Sequence, residues 1–177
     1  MIMSTAQACL RALNSFAGLS PKEVIEKLNF HMWQSTQSNK FITMFYAVLD
    51  PVRHTLHYIN AGHNRPILVN PDKSVSLLDK GGMVIGMFPN FSYQVGSVTL
   101  EAGAKLLIYT DGLSEVRDQA GEEYGDDRLA TVFCNTCDDQ TAQTTKEFII
   151  GDVMGFSSNR MVDDMTLLVI RRHKEHP

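Results

Sequence analysis

A chain of 177 residues suits one domain over positions 1–177, with a core large enough to need no staples. Its hydrophobic share of 44% and charged share of 20% are ordinary for a soluble globular protein. A formal net charge of −4, with Lys and Arg scattered outside positions 171–174, argues against a nucleic-acid binder, and no apolar run approaches a membrane-spanning length.

Along the chain, Ile2, Ala6, Cys9, Leu10, Leu13 and Phe16 fall at three-to-four spacing and predict a first helix. No cation precedes this apolar start and Arg11 interrupts it, so it does not read as a signal peptide. Ser20, Pro21 and Glu23 then form a capping box, and Val24, Ile25, Leu28 and Met32 carry a second amphipathic helix to about Ser38. The period changes at "FITMFYAVLD" (41–50), which with "TLHYINAG" (55–62) predicts a hairpin. "PILVN", "SVSLL", "YQVGSVTL" and the very apolar "AKLLIYT" (104–110) are further strands between Gly and Asn-Pro-Asp breaks. Helical stretches at about 127–137 and 141–156 precede a last strand, "DMTLLVIRR" (164–172). Strand runs followed by helix runs mean α+β, and adjacent apolar residues in the strands imply sheets covered on both faces.

Two acidic turns abut the two most apolar strands. "TDG" closes the strand ending at Ile108, and "VDD" opens the strand beginning at Met165. If these strands are antiparallel neighbours, Asp111 meets Asp163 or Asp164 at one sheet edge. Carboxylates gathered there invite a hard cation such as Mg²⁺ or Mn²⁺, which activates a water near neutral pH. Read one at a time, Asp-Gly is equally a turn pair, Asp-Asp a strand-leading cap, and Glu115 a surface charge. His63 in "AGHNRP" could be a ligand, a proton donor or a loop-shaping residue.

Other features read as structural. Three cysteines, an odd number, imply free thiols in a reducing compartment, with the cytoplasm as default. Cys134 and Cys137 lack a second ligand pair and read as packing. "KGGMVIG" (80–86) is not a phosphate-binding loop, because no Lys-Ser/Thr follows. "GEEYG" (121–125) reads as a turn with a solvated acidic pair, the methionines as core filler, and Trp33 as a core or interface anchor.

The segments "TMFYAVLD", "INAGHNRPIL", "LLIYTDGLSEVRD", "GEEYGDDRL" and "DDMTLLVIRR" occur in this order across nearly the whole chain. Together they resemble the SpoIIE/RsbU-like serine phosphatases of the PPM (PP2C-like) metal-dependent family. The resemblance implies an α/β/β/α sandwich of two antiparallel sheets flanked by helices. It implies a pair of Mn²⁺ or Mg²⁺ ions, and hydrolysis of phosphoserine or phosphothreonine by a bridging water without a phosphoenzyme. Asp111 matches the TDG-type metal aspartate, and Asp163 with Asp164 the terminal aspartate motif. Gly112, His63 and Glu115 stand at most behind these ligands. Implied partners are a phosphorylated anti-anti-sigma (STAS-type) regulator, an upstream sensor or receiver domain, and a second copy joined through open sheet edges. Family members open with strands that carry further metal ligands, whereas this sequence opens at the helix after them. The expectation is thus a fold incomplete at its N-terminus, a partial metal site and weak activity, with a regulatory protein-binding module as the alternative.

Overall fold

The structure is a computed structural model that describes residues 2–16, 18–35, 40–136, 140–158 and 164–174. The chain divides into two compact units, Met1–His63 with Leu78–Thr99, and Asn64–Leu77 with Leu100–Pro177.

In the first unit, helices α1 (Ile2–Ser15) and α2 (Pro21–Ser35) lie with a sheet of β1 (Met44–Asp50), β2 (Thr55–Ala61), β5 (Gly81–Gly82) and β6 (Gly96–Thr99). The capping box forms as the sequence predicts. The Ser20 amide and hydroxyl both donate to Glu23 Oε2, at 2.8 and 2.7 Å, and the Glu23 amide returns a bond to Ser20 Oγ. The predicted hairpin pairs Met44 with Ala61 through to Asp50 with Thr55. Its turn is closed by Asp50 Oδ1, which accepts from the amides of Val52 and Arg53, and the Arg53 amide, then its guanidinium on Oδ2, hold the Asp50 carboxyl below its ordinary range. Ala6, Leu13, Ile25, Leu28, Met32 and Ile59 form the centre of this unit's core. Buried Asn29 ties α2 to the following loop. Its Nδ2 donates to the Phe88 carbonyl at 2.7 Å, and its Oδ1 accepts from the Gly86 amide at 2.8 Å.

In the second unit, β3 (Ile67–Val69), β4 (Val75–Leu77), β7 (Lys105–Tyr109) and β8 (Leu167–Arg171) form an antiparallel sheet in the order β4-β3-β7-β8. Helices α4 (Asp126–Asn135) and α5 (Ala142–Phe156) cover it, burying Leu129, Phe133, Ile149 and Val153 with Leu107 and Tyr109. Lys105 is buried, and its Nζ donates to the Cys134 and Thr136 carbonyls and the Thr136 hydroxyl, closing the end of α4. The α+β class holds, each unit being helices on one sheet.

Several local expectations are corrected. "KGGMVIG" is not merely a break, because Gly81–Gly82 pairs parallel with Asn60–Ala61. A Cβ at Gly81 would stand 1.9 Å from the Asn60 carbonyl oxygen, so that strand forms only without one. "DGLS" is a one-turn helix, α3 (Asp111–Ser114), rather than a turn. Met32 is in the core, but Met3, Met83 and Met87 are exposed, and Trp33 is 44% exposed beside Phe30. Helix α2 buries the stripe through Ile25, Leu28 and Met32, which leaves Phe30 and Trp33 outside it. Glu123 is not simply solvated, for it pairs with Arg117 across the 117–123 turn. Cys9 and Cys134 are free and partly buried, while Cys137 and the predicted end of α2 at Ser38 lie outside the described residues.

Candidate metal centre

Strands β7 and β8 are antiparallel neighbours, from Lys105 with Arg171 to Tyr109 with Leu167. The exit of β7 therefore lies beside the entry of β8. Thr110 extends the ladder past the last strand pair. Its amide donates to the Thr166 carbonyl at 3.0 Å, and its hydroxyl accepts from the Thr166 amide at 3.1 Å. Thr110 is the residue before α3, and Asp111 opens that helix with its carboxylate exposed. Asp111 Oδ1 accepts from the Gly112 amide at 3.0 Å, and the side chain makes no other hydrogen bond or ion pair among the described residues. The partner segment arrives at Asp164, whose carbonyl oxygen would stand 2.4 Å from a Cβ at Gly112. The two acidic turns are thus in van der Waals contact through the glycine of "TDG".

The remaining sequence-predicted residues are placed as follows. Asp164 is exposed at the entry to β8, and Asp163 lies outside the described residues. Glu115 carries an exposed side chain, and its amide donates to the Asp111 carbonyl at 2.8 Å, closing α3. His63 belongs to the first unit, where its amide donates to Asn60 Oδ1 at 2.8 Å, so the Asn60 side chain shapes the "AGHN" loop.

Sequence reasoning passed over the support behind the turn. The Tyr109 hydroxyl donates to Asp126 Oδ1 at 2.8 Å, and burial, then the Asp126 carboxylate, push the phenol far above its ordinary range. Tyr124 donates to Asp152 Oδ2 at 2.5 Å and its hydroxyl is raised for the same two reasons. The Arg128 guanidinium packs on the rings of Tyr124 and Phe156, 5.0 and 4.5 Å from their centroids. Both tyrosines stay neutral donors, anchoring the residues on either side of α3 to α4 and α5. An aromatic immediately before each acidic or glycine turn was the only signal available, and it does not specify a partner.

Among the described residues, no three His, Cys, Asp or Glu side chains are grouped to hold a metal ion. Asp111 and Asp164 stand at one end of the sheet and bring oxygen donors of the kind a hard cation takes while keeping several waters. They do not by themselves supply a two-ion centre. An open groove of about 680 Å³ in the first unit is lined by Glu23, Glu26, Lys27, Phe30 and residues 89–92, and neither turn contributes to it.

The family profile of Stage II sporulation protein E (SpoIIE) matches residues 1–173. The phosphoserine phosphatase RsbU of Bacillus subtilis (strain 168) is 28% identical over 156 residues, which is 88% of this chain and 46% of RsbU. The chain therefore spans about half the length of that relative. The RsbU and RsbW domains of Rv1364c from Mycobacterium tuberculosis superpose with a TM-score of 0.80 at 26% identity, over 99% of this chain and 48% of that one. The PP2C phosphatase domain with a fragment of the regulatory domain of SpoIIE from Bacillus subtilis gives 0.79 at 20% identity, over 96% of this chain and 49% of that one. RsbX in complex with magnesium gives 0.63 at 21% identity, over 96% and 74%. The shared fold is that of the PP2C-like phosphatases.

Proposed function

Because the chain belongs to the Stage II sporulation protein E (SpoIIE) family, we propose that it is one PP2C-like domain that hydrolyses phosphoserine or phosphothreonine in a protein substrate. The observation that carries this reading is the contact of the Asp111 turn with the Asp164 turn at the end of β7 and β8. The relative named a phosphoserine phosphatase supports it.

In this reading Asp111, Asp163 and Asp164 would hold a divalent cation, Mn²⁺ or Mg²⁺. Bound there, such a cation supplies the positive charge that makes water a nucleophile near neutral pH. The chain's own residues do the rest. Thr110 fixes the exit of β7 against Thr166, so the Asp111 carboxylate is held on a paired strand end rather than a free loop. Gly112 lets the Asp164 backbone come close, and Glu115 closes the helix behind Asp111 through its amide. His63 is kept as a loop-shaping residue on its Asn60 support. In the net reaction water adds to phosphorus, the serine Oγ–P bond breaks, and the leaving oxygen takes a proton. The proposed substrate is a phosphorylated anti-anti-sigma-type regulator in the cytoplasm, with a sensor or receiver domain upstream.

The test is turnover of a phosphoserine peptide and of p-nitrophenyl phosphate by the 177-residue chain in Mn²⁺. Asp111→Asn should lower kcat/KM by about 100-fold or more, the scale of losing a preorganised charge at a reaction centre. Unchanged turnover in that variant would overturn the assignment. A second reading, a binding module without turnover, is favoured by the open outer edge of β1, where Val48 and Leu49 are exposed among the described residues. Its signature is capture of the phosphorylated regulator with no phosphate released.

A further inference from the structure

Arginines in this protein are mostly spoken for. Arg53 pairs with Asp50, Arg117 with Glu123 and Arg128 with Asp152, while Arg171 and Arg172 donate to backbone carbonyls. Arg11 and Arg65 are exposed and have no ion pair and no hydrogen bond among the described residues, and of the two Arg65 belongs to the second unit. Its place in the sheet is set by register. Pro66 follows it and is buried, and Ile67, two residues on, pairs with Leu107 of β7. Tyr109 lies two residues beyond Leu107 on that strand, so Arg65 enters β3 beside the point where β7 gives way to Thr110 and Asp111. A residue before proline is confined to extended backbone, so the guanidinium leaves from a stiff stem.

The end of this sheet thus carries one unengaged guanidinium entering β3 and exposed carboxylates leaving β7 and entering β8. A phosphate dianion approaching those carboxylates meets repulsion, and a nearby guanidinium offsets it. A guanidinium also offers a two-pronged donor set that matches phosphate oxygens, which an ammonium does not. We propose that Arg65 is a substrate-binding residue, recognising the phosphate of a phosphoserine or phosphothreonine peptide at the β3–β7–β8 end of the sheet. This rests on the phosphatase reading for its substrate class. Because Arg65 binds rather than reacts, its loss weakens affinity and raises KM with little effect on kcat.

The experiment is calorimetric titration of the 177-residue chain in Mn²⁺ with a peptide carrying a non-hydrolysable phosphonate analogue of phosphoserine, and with the same peptide carrying serine. Arg65→Ala should weaken binding of the phosphonate peptide by roughly ten- to hundredfold, the scale of hydrogen bonds to a charged group. Arg65→Lys should fall between the two, and the serine peptide should bind equally weakly to all three. The exposed position predicts an unchanged melting temperature, which separates recognition from folding. Equal affinity of Arg65→Ala and the unaltered chain for the phosphonate peptide would overturn the proposal. So would an equal loss for both peptides, or no affinity of the unaltered chain for the phosphonate peptide. Release of p-nitrophenol is read in parallel. Its absence would count against the hydrolase reading, while the titration still decides whether Arg65 reads phosphate.

Discussion

A Cβ at position 112 would stand 2.4 Å from the Asp164 carbonyl oxygen, with backbone rather than a flexible side chain in its way. Gly112→Ala must therefore push β8's entry off the β7 turn, and should cost about 1–3 kcal/mol, as overpacking does. Asp111→Asn, exposed and keeping an acceptor for the Gly112 amide, should stay within about 0.5 kcal/mol of the unaltered chain. Urea midpoints measured on both variants check this; a Gly112→Ala chain as stable as Asp111→Asn would mean the two turns do not pack as described. At this scale the sequence was informative about identity and silent about contact. "TDG" and "VDD" could each be read as acidic turns, yet that the glycine is the contact point, and that Thr110 bonds Thr166 through its hydroxyl, follows only from strand pairing. Arg65 carried no sequence signal, because its meaning lies in having no partner at a particular sheet end.

Among the elements, α2 is the one whose start is written most fully in the chain. The Ser20 amide, then its hydroxyl, hold the Glu23 carboxyl below its ordinary value of 4.5. A carboxyl depressed on folding contributes stability above its unfolded value, and that contribution is lost as pH falls through the folded one. Glu23→Gln, which cannot ionise, should flatten the fall in melting temperature as pH drops from neutral to below 4.5. Parallel pH profiles for the two proteins would show that the cap carboxylate is not the group responsible. The hairpin of β1 and β2 was equally legible, since Asp50 and Pro51 mark its turn and both arms are rich in aromatic and β-branched residues. The strand Gly81–Gly82 was not, because two glycines have no propensity for a sheet and are selected only by the Asn60 backbone lying against them. Helix α3 escaped for a related reason: four residues are too few to show a period.

For the whole molecule, β1 stands at an edge of its sheet among the described residues, with Val48 and Leu49 exposed and no Lys or Pro within Met44–Asp50 to guard it. Such an edge accepts another strand, and two copies of β1 can meet antiparallel without opposing like charges, since Asp50 is the strand's one charged residue. Sedimentation should show mass rising with protein concentration, and Val48→Lys should suppress the rise; equal association of the two would place the contact elsewhere. No described helix is long and apolar enough to cross a membrane. Sequence alone determined the α+β class, the order of the principal elements, the family resemblance and the two acidic turns, because period, capping and turn chemistry are local and leave a readable pattern. Tertiary structure alone decided that β7 and β8 are neighbours, that Gly112 lets the Asp164 backbone approach, and that Lys105 is buried to close α4 while Arg65 is left exposed. Those outcomes depend on which segments meet, and pairing between residues some sixty positions apart leaves no period in the chain to read.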